Sequence, residues 1–169
     1  MSKRARQYIG LFSAILAYYV IHEGAHLLYA LCVGVFKQVN FMGLGIQIDV
    51  YAEQMTSRQL GIFCIVGSIA TTIVAYMLVI LADKIKDIPS KWFKACMYYI
   101  TIAMLLLDPL YLSVLCGMFG GGDMNGISLL IPEVAARIGY GILLVVNITV
   151  FFKLVLPKYQ IGFGGKRDR

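Results

Sequence analysis

The sequence predicts a mainly α fold: a polytopic membrane bundle of about four transmembrane helices, with a short β-hairpin-like segment after the first. Three observations predict it. Of 169 residues, 60% are apolar and only 14% charged, against about 25% charged in an average soluble domain. The apolar residues gather in four blocks, at 8–36, 61–82, 95–119 and 138–156, and at about 1.5 Å per residue each spans or nearly spans roughly 30 Å of bilayer hydrocarbon. The bases lie between these blocks rather than in one continuous patch, so the net charge of +6 reads as the positive-inside pattern and not as a nucleic-acid surface. An ordinary soluble globule, a disordered chain and a nucleic-acid tail are excluded. The length suits a single integral-membrane domain over 1–169.

The first block has Glu23 as its only formally charged residue and carries His22, Glu23 and His26 near its middle. It is too long for the apolar core of a secretory signal and reads as a retained spanning helix. After it, Ile46, Ile48 and Val50 alternate with Gln47, Asp49 and Tyr51, the period-two pattern of a strand. Gly43 and Gly45 permit a turn or bulge before that strand. The second block holds no charge, and its Gly67, Ser68, Ala70, Thr71 and Thr72 would let another helix approach closely. The third contains Asp108 and Pro109, where proline weakens the local helix and makes room for a polar group. Between the third and fourth blocks, Gly120, Gly121, Gly122 and Asp123 lead into apolar Ile127, Leu129, Leu130 and Ile131, a composition that suits a re-entrant segment better than a solvated loop. The fourth block has Asn147 in its middle and Lys153 near its end, where a lysine can snorkel.

Charge placement sets the orientation. Lys3, Arg4, Arg6, Lys84, Lys86, Lys91, Lys94, Lys153, Lys158, Lys166, Arg167 and Arg169 fall on one side of a four-span layout. Only Lys37, Arg58 and Arg137 fall on the other. Because bases flanking spans are held inside, both termini of this multi-pass cell-membrane protein are expected to be cytoplasmic. Cys32, Cys64, Cys96 and Cys116 sit in or beside apolar blocks without C-x-x-C spacing and read as small buried hydrophobes rather than a disulfide framework or thiolate metal site.

His22, Glu23, Gly24, Ala25 and His26 spell H-E-x-x-H on a predicted helix, and the chain has no other histidine. Positions i and i+4 put both imidazoles on one helix face, where they can share one Zn²⁺ while the glutamate exchanges a proton with a nearby water. In a soluble helix such a pair often only faces water. Within a membrane block, ionisable residues cost a few kcal/mol to insert and point to function. A catalytic zinc needs a third protein ligand, and two acids stand in suitable context. Asp108 enters the third block as deeply as His22 enters the first; Asp123 follows a glycine run able to turn the chain inward. The alternatives to ligation are a buried Asp108 bonded to a polar neighbour such as Asn147, and Asp123 as a helix N-cap in a solvent-facing loop.

H-E-G-A-H in a membrane helix, the glycine-punctuated strand after it, the second span with Gly67 and Ser68, and a later aspartate together resemble the site-2 protease family of intramembrane zinc metalloproteases, in a minimal form without regulatory domains. The resemblance covers the order of elements to about Leu130, with H-E-x-x-H its specific motif. It implies a metalloprotease-like domain with one Zn²⁺ per chain, bound by His22, His26 and an aspartate, with Glu23 as general base and then general acid. The family's aspartate typically stands in L-D-G or N-P-D-G. Here the candidates are L-L-D-P at Asp108 and G-G-G-D-M-N-G at Asp123; the second is nearer the pattern, so Asp123 is favoured and Asp108 is the alternative. Many family members place the zinc nearer the cytosolic face, whereas the charges here put these histidines in the outer half of the first helix.

The expected function is zinc-dependent hydrolysis of peptide bonds in membrane-embedded or membrane-adjacent substrates. The strand-like segment at Gly45–Tyr51 is expected either to present an edge to an unwound substrate or merely to link two helices. The alternative in another class is a non-catalytic membrane protein, either metal-binding and transporter-like or a pseudoprotease; the intact Glu23 speaks against a pseudoprotease, and the lack of internal repeats against a transporter. A zinc hydrolase of lipids or small amides uses the same residues. Expected partners are the bilayer and a membrane protein or peptide substrate, not nucleic acid, with self-association into an oligomer left open.

Overall fold

The computed structural model describes residues 2–42, 45–118 and 122–164. Helix α1 spans Lys3–Val33, starting at Ser2, whose hydroxyl accepts the Ala5 N–H, and stopping at Gly34. Strands β1 (Phe36–Met42) and β2 (Gly45–Val50) form an antiparallel hairpin in which Val39 faces Ile48 and Phe41 faces Ile46. A 3₁₀ turn at Ala52–Gln54 leads to α2, Ser57–Lys86. Thr56 and Gln59 cap it reciprocally, each side chain satisfying a main-chain N–H of the other. Helix α3 spans Lys91–Leu110 and continues as a π-turn over Tyr111–Leu115 and a 3₁₀ turn over Cys116–Met118. Short α4 is Asp123–Ile127, and α5 (Glu133–Val150) passes through a π-turn at Phe151–Val155 into α6, Leu156–Gly162.

Four helical stretches are long and apolar enough to cross a membrane: Lys3–Val33, Ser57–Lys86, Lys91–Met118 and Glu133–Gly162. They match the four expected blocks and carry the hairpin after the first. Their outward faces leave Phe12, Ile80 and Val134 more than two-thirds exposed, as lipid-facing side chains would be. The first helix stops before the end of its apolar block because Gly34 takes a left-handed conformation and ends it, so Phe36 begins β1 instead. Gly43, Phe119, Gly120, Gly121, Lys166, Arg167 and Arg169, which entered the sequence reading, lie outside the described residues.

Two apolar clusters make up the interior. One, around Ala30, Phe63, Leu112, Met124 and Ile127, lies beneath the hairpin; the other, around Ala75, Met104, Leu105, Val155 and Tyr159, lies at the opposite end. Tyr18 and Ile21 pack on the second cluster and Leu27 on the first, so His22 and His26 occupy the level between them. Cys64 and Cys116 are buried as expected, while Cys32 faces outward and Cys96 is half-buried. The start of α3 meets the ends of α2 and α6, where the buried Lys94 ammonium donates to the carbonyls of Lys86 and Gly162 and Lys158 bridges to Asp83.

Proline inside α3 has a visible consequence. Pro109 has no N–H to give the carbonyl of Leu105 one turn earlier, and Asn147 Nδ2 on α5 donates to that carbonyl at 2.7 Å. Tyr76 in turn donates to Asn147 Oδ1 at 2.8 Å. Neighbouring helices thus re-satisfy a backbone group that water cannot reach. Asn147 is therefore not the partner of Asp108 that the sequence suggested.

Candidate metal centre

Tyr18, His22 and His26 recur every four residues on α1 and so share one face. That face meets α2 at Gly67. A Cβ placed there would stand 2.6 Å from His26 Nε2 and 2.8 Å from His22 Nε2, so only glycine lets α2 come this close. The stripe of small residues read from the sequence has its use at this position.

Both imidazoles are oriented through Nδ1. His26 Nδ1 lies 2.7 Å from the carbonyl oxygen of Phe63, and His22 Nδ1 lies 3.2 Å from Asp108 Oδ1. A carbonyl can only accept, so His26 carries its proton on Nδ1 and turns a lone pair on Nε2 toward its neighbour. Asp108 is fully buried and is itself held by the Tyr18 hydroxyl at 2.5 Å and by Thr71. Carboxylate and carbonyl partners of this kind fix the tautomer and ring orientation of metal-binding histidines.

The two Nε2 atoms converge on Asp123, the first residue of α4. His22 Nε2 is 3.2 Å and His26 Nε2 3.5 Å from Asp123 Oδ2, and the two nitrogens are 3.1 Å apart. A tetrahedral ion with bonds of about 2.0–2.1 Å separates its ligand atoms by about 3.3 Å, so the donor set fits a zinc ion in both chemistry and spacing. Asp123 reaches this place because Gly122 adopts φ +48°, a conformation that side-chain-bearing residues avoid, and because α4 buries Met124, Gly126 and Ile127 against the core. The segment therefore re-enters the bundle, and Asp123 is half-buried against the histidines rather than capping a solvent-facing helix. Burial opposes ionisation of Asp123, but the hydrogen bonds and charges of His22 and His26 hold its carboxyl low, at about 2. Asp108 lies on the far side of His22, outside this triangle.

Glu23 borders the same cavity, of about 330 Å³, as the two histidines and Asp123. Its Oε2 accepts the main-chain N–H of Ile48 at 3.2 Å, tying the hairpin to the site. Sequence reasoning did not find Tyr18, Thr71, the Phe63 carbonyl or the Ile48 N–H. Tyr18 was marked by its four-residue spacing from His22, and Thr71 by its place one turn after Gly67; main-chain groups carry no sequence signal. Comparison with protein-family models, curated proteins and solved structures yields no match.

Proposed function

We propose that this protein is an integral-membrane zinc endopeptidase, acting on peptide bonds of membrane-embedded or membrane-adjacent substrates. The observation that carries the reading is the triangle of His22, His26 and Asp123, with edges of 3.1, 3.2 and 3.5 Å, beside Glu23 in one cavity. In this reading the three residues hold one zinc ion per chain, and Asp108 orients His22 without binding the metal. When bound, the ion supplies a Lewis acid that polarises a carbonyl and acidifies a water near neutral pH.

Glu23 handles the proton. With Oε2 engaged by Ile48, its other oxygen takes a proton from water in the cavity and delivers it to the leaving amine. The hairpin offers the substrate a place. Because the Ile48 N–H points to Glu23 and not to β1, the two-residue period turns the main-chain groups of Ile46 toward the same edge, where an extended peptide can add. The resemblance of H-E-G-A-H and its surroundings to site-2 proteases supports the reading, and the asymmetry of bases supports cytoplasmic termini.

The test is zinc content and cleavage of membrane peptides by detergent-purified protein, with the Glu23→Gln and His26→Ala variants. Zinc near one per chain, lost in His26→Ala, together with cleavage lost in Glu23→Gln while zinc is kept, is the expected result. Zinc indifferent to His26 overturns the metal site. Zinc bound without cleavage of any membrane peptide leaves the non-catalytic metal-binding reading in its place.

A further inference from the structure

We propose that the end of the bundle where α1 and α3 begin holds the phosphate of an anionic phospholipid. A cavity of about 420 Å³ opens there, lined by Lys3 and Arg6 of α1, Lys91, Tyr98 and Tyr99 of α3, and Phe163 after α6. Its volume lies within the roughly 300–1,000 Å³ of ordinary ligand sites. It is remote from the metal centre, and the proposal stands independently of the peptidase reading.

Among the described residues three cations line the cavity and no carboxylate does. Among the described residues the ion pairs involve Lys37, Lys86, Lys158, Arg137 and the histidines, and none involves Lys3, Arg6 or Lys91. Neither α1 nor α3 has an acid in its first turn, where acids ordinarily offset the positive end of the helix dipole. The first turns of two helices and three cations therefore border one concavity, and a phosphate group answers that charge.

The surroundings select a lipid over a soluble phosphate. One turn beyond the lining Gln7 on α1, Leu11 is 51% exposed, and Tyr98 and Tyr99 continue the lining along α3. These residues lie at the starts of helices long and apolar enough to span a membrane, so acyl chains attached to a bound headgroup run onto apolar surface. Basic pockets between transmembrane helices with aromatic residues at headgroup level suit anionic lipid heads.

The single tryptophan, Trp92, follows Lys91 in the first turn of α3 and reports on lipid at this end of the bundle. In vesicles, brominated phosphatidylglycerol is expected to quench Trp92 with a higher relative binding constant than brominated phosphatidylcholine. Arg6→Gln with Lys91→Gln should reduce that preference by roughly fivefold per cation removed, whereas Lys37→Gln at the hairpin and the charge-conserving pair Arg6→Lys with Lys91→Arg should keep it. Equal quenching by the two lipids in the unmodified protein overturns the proposal, as does a preference that survives Arg6→Gln with Lys91→Gln or disappears in the charge-conserving pair. Excess inorganic phosphate should leave the preference standing. If it abolishes it, the site takes soluble phosphate and the lipid assignment falls.

Discussion

His22 turns its Nδ1 to Asp108 at 3.2 Å and so points its Nε2 away from that carboxylate, toward His26 and Asp123. The two aspartates that competed for one role stand on opposite nitrogens of one imidazole, and this predicts different losses. In the proposed zinc site Asp123→Ala removes a ligand atom, and it should leave the purified protein essentially without zinc. Asp108→Asn only loosens the orientation of His22 and should weaken zinc affinity by about 10- to 100-fold. Chelator competition monitored by metal analysis distinguishes the two; equal and complete loss in both variants would place Asp108 in the ligand set.

Gly67 predicts a loss with no change of polar group. Its missing Cβ would stand 2.6–2.8 Å from the Nε2 atoms of both histidines, which is where the triangle opens. Gly67→Ala is therefore expected to abolish zinc retention while the protein stays folded and helical. Gly24, inside H-E-G-A-H itself, has nothing within 4 Å of the equivalent position, so Gly24→Ala should keep the metal and stabilise α1 by about 0.5–1 kcal/mol. Zinc content and thermal unfolding in detergent read both outcomes.

The spans, the hairpin and the shared face of His22 and His26 were legible because they rest on periodicity: long apolar blocks, alternation at Ile46, Ile48 and Val50, and the four-residue spacing of the two histidines. The depth of Asp108 was legible too, since equal rise from equal starts brought it level with His22. Its role was not, because the decision rests on which ring nitrogen it meets, and that depends on the azimuth of α3 about α1. Asn147 was misread for a related reason. The most demanding acceptor near it was a carbonyl created by Pro109, and a sequence shows side-chain polarity far more openly than a main-chain group left unpaired.

That carbonyl predicts a coupling. Asn147→Ala should destabilise the bundle by about 1 kcal/mol, since the Leu105 oxygen then has no partner away from water. Pro109→Ala restores an N–H that can reach Leu105, so the cost of Asn147→Ala should shrink in that background. A double-mutant cycle on reversible unfolding in mixed micelles measures it, and an unchanged cost would mean that Asn147 acts through Tyr76 instead.

The bond from the Ile48 N–H to Glu23 predicts how the hairpin serves the chemistry. That N–H faces α1 and not β1, so a proline at position 48 removes no ladder bond, the condition under which strands tolerate it. Ile48→Pro is expected to leave zinc content unchanged and the hairpin in place, while Glu23 loses the donor that fixes its carboxylate. A hydrogen bond to a charged group is worth about 1.5–3 kcal/mol, which corresponds to a fall of roughly 10- to 100-fold in peptide cleavage if the bond holds Glu23 in its working position. Cleavage rates at saturating peptide, set beside those of Gln47→Ala on the same strand, separate this from a general disturbance of the hairpin. Equal losses in the two variants would show that β2 acts as a substrate edge alone, and a loss confined to Ile48→Pro that adds nothing to the loss in Glu23→Gln would place both residues on one proton path.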